Sequence, residues 1–383
     1  MRSSWSPPVA SAATASPRSK PRPSRTSRPP PPTRRSPAVE ASAPARVSRR
    51  FPWYQRLVRP VLFRLPPERA QRLAERTLAC APLWRAYGAT LRVDDATLPR
   101  SVAGINLRNP IGLAAGLDKQ CAYLAALGHL GFGYVIGGTV TYHPRPGNAR
   151  PRLLRLPERE SLLNSMGFPS EGLQAAVTRL RNLGDRPAKV FVSIAALEED
   201  EAVACLRALE PLVEATEVNI SSPNTAGVRR FQEPAALGGL LDRLNAARAK
   251  PLFVKLPPYD DDRGRDAVLG LLRVCLRAGV AGVTAINTVP RESPSLAVER
   301  GGLSGRAILP DMLRIVPELR REAGPGFVIN ASGGIATGDD AFRALQAGAD
   351  TVQLYTAFVY RGPDVVNQIC RELAVRLRQQ VGR

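Results

Sequence analysis

The pattern of apolar and polar positions changes rhythm twice along this chain of 383 residues. From Asn109 onwards, short apolar runs rich in β-branched residues alternate with stretches of helical periodicity. The runs are 109–116, 134–140, 189–195, 217–222, 251–257, 282–288, 327–334 and 351–357. Helical spacing separates most of them, over 122–130, 172–183, 235–249, 263–278, 310–323 and 339–347. Strands alternating with helices predict a parallel sheet, and eight repeats predict that it closes into a (β/α)8 TIM barrel, an α/β fold. An open doubly wound sheet is the alternative, but no early Gly-x-Gly-x-x-Gly supports it.

Between 51 and 91 the spacing is helical throughout. Trp53, Leu57, Val58, Val61, Leu62 and Leu65 share one face, with Arg56, Arg59 and Arg64 elsewhere on the turn. Pro66-Pro67 ends that helix, and a second follows with Ala70, Leu73, Ala74, Thr77 and Leu78 on one side and Arg69, Arg72 and Arg76 around it. Two short helices of this kind read as a hairpin on a membrane surface or as an amphipathic hairpin packed on its own domain. Residues 1–50 have neither rhythm. They are rich in Pro, Ser, Arg and Ala, hold ten Arg and one Lys against the single acid Glu40, and are expected to be a disordered basic tail. An organelle targeting segment and an upstream start codon are the other readings of that stretch. The domain organisation expected is therefore a tail (1–50), a helical segment (51–91) and a barrel (92–383).

Charge and cysteine usage narrow the chemistry. The net charge of +21 suggests nucleic acid or an anionic membrane, but about half of it lies in the tail. The five cysteines are scattered singly, which argues against a disulfide framework or a zinc site and for a reducing compartment. Two histidines, His129 and His143, cannot build a His-rich metal centre, and no metal is expected. No apolar run reaches the roughly 18 residues of a membrane span.

In a parallel barrel the active site lies at the C-terminal ends of the strands. Those ends here read Ala115-Gly116-Leu117-Asp118-Lys119, Gly138-Thr139-Val140-Thr141, Asn219-Ile220-Ser221-Ser222, Val254-Lys255, Ile286-Asn287-Thr288, Ser332-Gly333-Gly334 and Leu354-Tyr355-Thr356. Amides and hydroxyls suit a planar, hydrogen-bonding ligand such as a pyrimidine. The glycines of the seventh run and the Tyr-Thr of the eighth fall where such barrels hold a phosphate. Lys119 and Lys255 are two of only five lysines in the chain. No carboxylate pair and no His-containing triad appears, which argues against hydrolases. The set points to FMN with a small polar substrate, the cofactor carrying the redox step.

From about Phe51 the chain resembles the class 2, quinone-linked dihydroorotate dehydrogenases. The motifs that carry the resemblance are Asn109-Pro110-Ile111-Gly112-Leu113-Ala114-Ala115-Gly116-Leu117-Asp118-Lys119, the stretch from Asn219 to Gly227, Gly301-Gly302-Leu303-Ser304-Gly305-Arg306 and Leu354-Tyr355-Thr356. The resemblance implies oxidation of (S)-dihydroorotate to orotate in UMP biosynthesis. It implies Ser222 as the base at C5, with hydride passing from C6 to N5 of FMN. Asn164, Asn219, Asn224 and Asn287 with Thr288 would hold orotate, beside Ser165, Met166, Gly167 and Phe168, while Lys119 would touch substrate and flavin. The FMN set would be Ala115, Gly116, Leu117, Asp118, Lys119, Thr139, Ser193, Asn219, Lys255, Ile286, Gly305, Gly334, Tyr355 and Thr356. Gln71, Arg155 and Tyr355 would line the quinone site, with ubiquinone or menaquinone as acceptor, and 51–91 would dock on the membrane.

The chain departs from the family pattern at several of these positions. Ser193 stands for an asparagine, Ser165 for an arginine, Ile286 for a threonine and Gln71 for a histidine, and Pro169-Ser170 replaces an amide-containing pair. A peripheral monomer on the cytoplasmic face of a bacterial membrane is expected, with the mitochondrial inner membrane as the alternative and no nucleic-acid partner. Other functional readings are a divergent paralogue acting on another cyclic amide, an RNA-linked flavoprotein and a binding protein that has lost its flavin.

Overall fold

The alternation of β-branched runs with helical stretches produces a closed parallel barrel in a computed structural model, which describes residues 52–222 and 225–381. Its strands are β1 (Ile111–Leu113), β2 (Tyr134–Val140), β3 (Lys189–Ala195), β4 (Ala215–Asn219), β5 (Leu252–Lys255), β6 (Gly282–Ala285), β7 (Val328–Ser332) and β8 (Thr351–Leu354). Each strand bonds to the next in sequence, and β8 bonds to β1. The expected (β/α)8 barrel is therefore the observed fold. Most strands end before the predicted runs do, because the last residues of those runs leave the ladder and turn into loops at the barrel mouth.

Burial on both faces explains why the strands read as continuous apolar runs. Inside the barrel Phe191 stacks on Tyr134 at 4.8 Å and on Phe253 at 5.9 Å. An antiparallel pair, Arg100–Val102 with Ile105–Leu107, packs Val102, Ile105 and Leu107 against these rings and plugs the N-terminal end. Sequence periodicity missed this pair because its strands are only three residues long. It also missed two outer helices, Glu199–Leu209 and Val365–Val381. Glu199, Asp200 and Glu201 in the first turn of the former are the signal that was there to read, since acids favour a helix N-terminus.

The segment before the barrel holds three helices where two were expected: α1 (Arg59–Arg64, after a turn over Tyr54–Val58), α2 (Pro67–Leu78) and α3 (Ala81–Ala89). Tyr54 Oη donates to the Val359 carbonyl at 2.8 Å, and Arg59 donates to the Tyr360 carbonyl at 3.2 Å. Glu68 on α2 pairs with the buried Arg152 at 2.5 Å and also with Arg150. Leu57, Val61, Leu73 and Leu83 of this segment stay exposed. Among the described residues no helix is long and apolar enough to cross a membrane.

A second sheet, antiparallel in the order Val289–Glu292, Arg300–Gly305, Ser161–Asn164, Leu153–Leu156, stands at the C-terminal end of the barrel.

Candidate active site

The strand ends, the second sheet and α2 enclose a cavity of about 1330 Å3, counted out to its open mouth. Gln71 contributes from α2, and Leu153, Leu162, Asn164, Ser304 and Gly305 from the antiparallel sheet. The barrel supplies Ala115, Gly116, Lys119, Thr139, Asn219, Ser222, Lys255, Ile286, Asn287, Thr288, Gly334, Tyr355 and Thr356. Met166, Gly167 and Phe168 complete one wall.

Backbone geometry aims several of these groups. The β2–β3 ladder slips between Gly137 and Val140, and Gly138 takes φ +100° where a Cβ would lie 2.4 Å from the Ser193 carbonyl oxygen. That bulge brings Thr139 to the cavity wall. At the other end Gly334 has φ +78°, and a Cβ there would lie 2.5 Å from that of Leu309, so the backbone at this corner stays bare.

The amides are held by their own partners. Asn219 donates to Thr139 Oγ1 at 3.3 Å and accepts from the Ser221 N–H at 3.2 Å. Asn287 donates to Ser221 Oγ at 2.9 Å and accepts from the Thr288 N–H at 2.7 Å, while Asn164 donates to the Gly302 carbonyl at 3.2 Å. An amide with four hydrogen-bonding positions that spends some on orientation presents the rest in a fixed direction. Ser222 Oγ lies 3.3 Å from Thr225 Oγ1, both buried.

Two cations face this wall. Lys119 is half-buried, and loss of hydration pushes its pKa below the ordinary lysine value, with Glu75 the strongest opposing charge. Lys255 is 6% exposed, and its ammonium makes no hydrogen bond or ion pair among the described residues. The Tyr355 phenol is pushed up to about 12 by burial, with Glu75 adding to the effect. No group of three or more His, Cys, Asp or Glu side chains among the described residues is arranged to hold a metal.

Some expected residues do not line the cavity. Asp118 is buried and accepts from the backbone N–H groups of Ala122 and Tyr123 at 2.9 and 2.6 Å, so it shapes the loop that carries Lys119. Leu117 packs on the hydrophobic core. Ser193 is fully buried behind Thr139, their hydroxyls 3.0 Å apart. Ser165 is also fully buried, its hydroxyl without a partner among the described residues, and its backbone N–H donates to the Arg152 carbonyl. Arg155 turns towards the helical segment, where it lies 4.5 Å from the Phe63 ring centroid and donates to the Leu65 carbonyl at 2.8 Å. Asn224 lies outside the described residues. Cavity residues absent from the expectation include Glu160, Arg306 and Gln353. Arg306 ends one of the quoted motifs and Gln353 adjoins another, whereas Glu160 carries no sequence signal.

A closed α/β barrel that gathers polar amides, a buried serine and two cations at one mouth has the architecture of a barrel enzyme with its site at the strand ends. The chain belongs to the dihydroorotate dehydrogenase family, whose model matches residues 97–377. It is 40% identical over 358 residues to the dihydroorotate dehydrogenase (quinone) of Chloroflexus aurantiacus, covering 86% of this chain and 98% of that protein. With the protein of the same name from Salinispora arenicola it shares 43% identity over 332 residues, or 82% of this chain and 96% of the relative. Among solved structures, ligand-free DHODH from Eimeria tenella matches with a TM-score of 0.70 at 29% identity, covering 78% of this chain and 95% of that one.

Proposed function

We propose that the chain oxidises (S)-dihydroorotate to orotate on bound FMN and passes the electrons to a membrane quinone, in UMP biosynthesis. The observation that carries this reading is the meeting of Ser222, Lys119, Asn164, Asn219 and Asn287 on one cavity. The donor set fits FMN. Lys255 offers an ammonium with no partner of its own among the described residues, and the bare backbone at Gly334 leaves room for a phosphate. Bound FMN would supply the two-electron acceptor for the C6 hydride.

The protein's part is binding, orientation and proton transfer. Lys119 offsets the substrate carboxylate, and the amides of Asn164, Asn219 and Asn287 hold the ring edges, with Asn224 and Thr288 as further donors. Ser222 takes the C5 proton. A serine is a weak base, so its proton needs an onward path, and the Thr225 hydroxyl is the adjacent group. Of the departures from the family pattern, Ser193 and Ser165 stand behind the wall, whereas Gln71 and Ile286 stand on it. Altered acceptor preference at Gln71 is therefore expected more than an altered substrate. The helices before the barrel, with their exposed leucines and arginines, would dock on the membrane beside Gln71 and Tyr355, making the chain a peripheral membrane protein.

Anaerobic mixing of purified, FMN-loaded protein with dihydroorotate tests the reading: the flavin absorbance should bleach and return on adding a quinone, with fumarate and NAD far less effective. Bleaching by other dihydropyrimidines but not by dihydroorotate would overturn it.

A further inference from the structure

At the cavity floor, where Gln353 lines it, lies a polar cluster whose Glu217, Thr284 and Gln353 the proposed reaction does not use. Glu217 on β4 is 1% exposed. Its Oε2 accepts from the Thr284 hydroxyl on β6 at 2.7 Å, and its Oε1 has no partner among the described residues. Gln353 on β8, also 1% exposed, donates Nε2 to that same Thr284 oxygen at 3.4 Å, and its own Oε1 has no partner either. Two buried acceptors therefore hang on one hydroxyl, each a single carboxyl or amide width from it.

The protons nearby are already committed. Thr284 has one, and Glu217 takes it. The Tyr134 hydroxyl lies beside Gln353, but it bonds Thr351 Oγ1 at 2.8 Å, and the Thr351 proton goes to Asn330 Oδ1 at 2.6 Å. Tyr134 must then donate to Thr351, which leaves it no proton for Gln353. The Thr216 hydroxyl, also unpartnered among the described residues, points to the opposite face of β4 from Glu217. The remaining donor on the inner face is therefore Lys255, which sits opposite Thr284 in the β5–β6 ladder. Its ammonium makes no ion pair with Glu217.

We infer that a water molecule is bound inside the barrel between Glu217 Oε1, Gln353 Oε1 and the Lys255 ammonium, and that through it Glu217 is a positioning residue for Lys255. One water has two protons for the two acceptors and a lone pair for the ammonium, which closes the count. A monovalent cation would satisfy the acceptors but would be repelled by Lys255. Glu217 then balances part of the charge that Lys255 presents to the cavity, and this second half rests on the reading of that cavity as the FMN site. A carboxylate behind the lysine disfavours the electron-rich reduced cofactor, and replacing it favours that form.

Two measurements test this. A crystal structure of the wild-type protein at a resolution that shows waters should contain a density peak bonded to all three groups. A direct Lys255–Glu217 ion pair, or no density there, would overturn the bridge. Glu217→Gln and Thr284→Val should each raise the ratio of reduced to oxidised flavin about tenfold at a fixed ambient potential. That is about 30 mV for a two-electron couple, read by anaerobic dye equilibration. Thr284→Ser should keep the wild-type value. Unchanged potentials in both variants would overturn the positioning role, and if neither variant folds the wild-type density decides. Wild-type protein that binds no flavin would sink the functional reading while leaving the water to be judged by density alone.

Discussion

Lys119 reaches the cavity from the loop after β1, and burial strips its ammonium of water without giving it a hydrogen bond among the described residues. Desolvation disfavours the charged form, so its pKa lies below the ordinary lysine value of about 10.4. Glu75 pulls the other way most strongly, with Asp118 and Glu68 helping and Arg152 opposing. An anionic ligand needs the protonated form, so its affinity is full below this pKa and falls as pH rises through it. Orotate titrations across alkaline pH should therefore bend at a pH below the ordinary lysine value. Glu75→Gln should move the bend lower still, and Lys119→Arg should push it out of range. A bend at or above the ordinary value in the wild type would show that Lys119 is not the group that senses the ligand. For Ser222 the expectation is kinetic. Ser222→Ala should keep FMN and orotate binding while slowing flavin reduction by about 10²-fold or more in stopped flow. An unchanged rate would remove Ser222 as the base.

The barrel strands were legible because each is buried on both faces and β-branched, a signal that survives without tertiary information. Cavity residues on strand ends were legible for the same reason: Asn219, Lys255, Asn287 and Tyr355 follow directly from where the runs stop. What sequence could not supply was direction. Asp118, Ser193, Ser165 and Arg155 lie within or next to the right segments, but their side chains turn away from the cavity, and rotamer and bulge decide that. The antiparallel sheet at the mouth was missed because its outer strands are only four residues long and its central pairing crosses more than a hundred residues, with Asn164 opposite Gly302. Arg155 shows the consequence at this scale. Its guanidinium covers Phe63 and binds the Phe63 and Leu65 carbonyls at the end of α1. Arg155→Ala should cost about 1–2 kcal/mol in chemical denaturation, from one lost cation–π contact and the charge-assisted bonds to those carbonyls. Hydrogen exchange should rise over residues 59–65, while bleaching of the flavin by dihydroorotate proceeds at the wild-type rate. Slowed bleaching with no change in exchange would show that Arg155 acts on the chemistry and not on the helix.

Across the whole molecule, apolar exposure and positive charge are unevenly placed. Leu57, Val61, Leu73 and Leu83, each more than 40% exposed, all belong to the helical segment before the barrel, with Arg56, Arg69, Arg72 and Arg76 close by in sequence. Residues 1–50 add ten arginines and a lysine. If the helical segment docks by insertion and the tail by charge, the two contributions separate by lipid and by salt. An arginine near an anionic surface contributes about 1 kcal/mol and is screened within a Debye length of about 8 Å at physiological ionic strength. Insertion of apolar side chains is insensitive to salt. Deleting residues 1–50 should therefore weaken flotation with anionic vesicles at low salt and leave binding to neutral vesicles unchanged. Leu57→Glu with Val61→Glu should weaken binding to both and lower the rate with a long-chain quinone in vesicles. The rate with a soluble quinone should stay at the wild-type value, because neither side chain lines the cavity. Full vesicle binding by the double variant would place the docking surface elsewhere on the molecule.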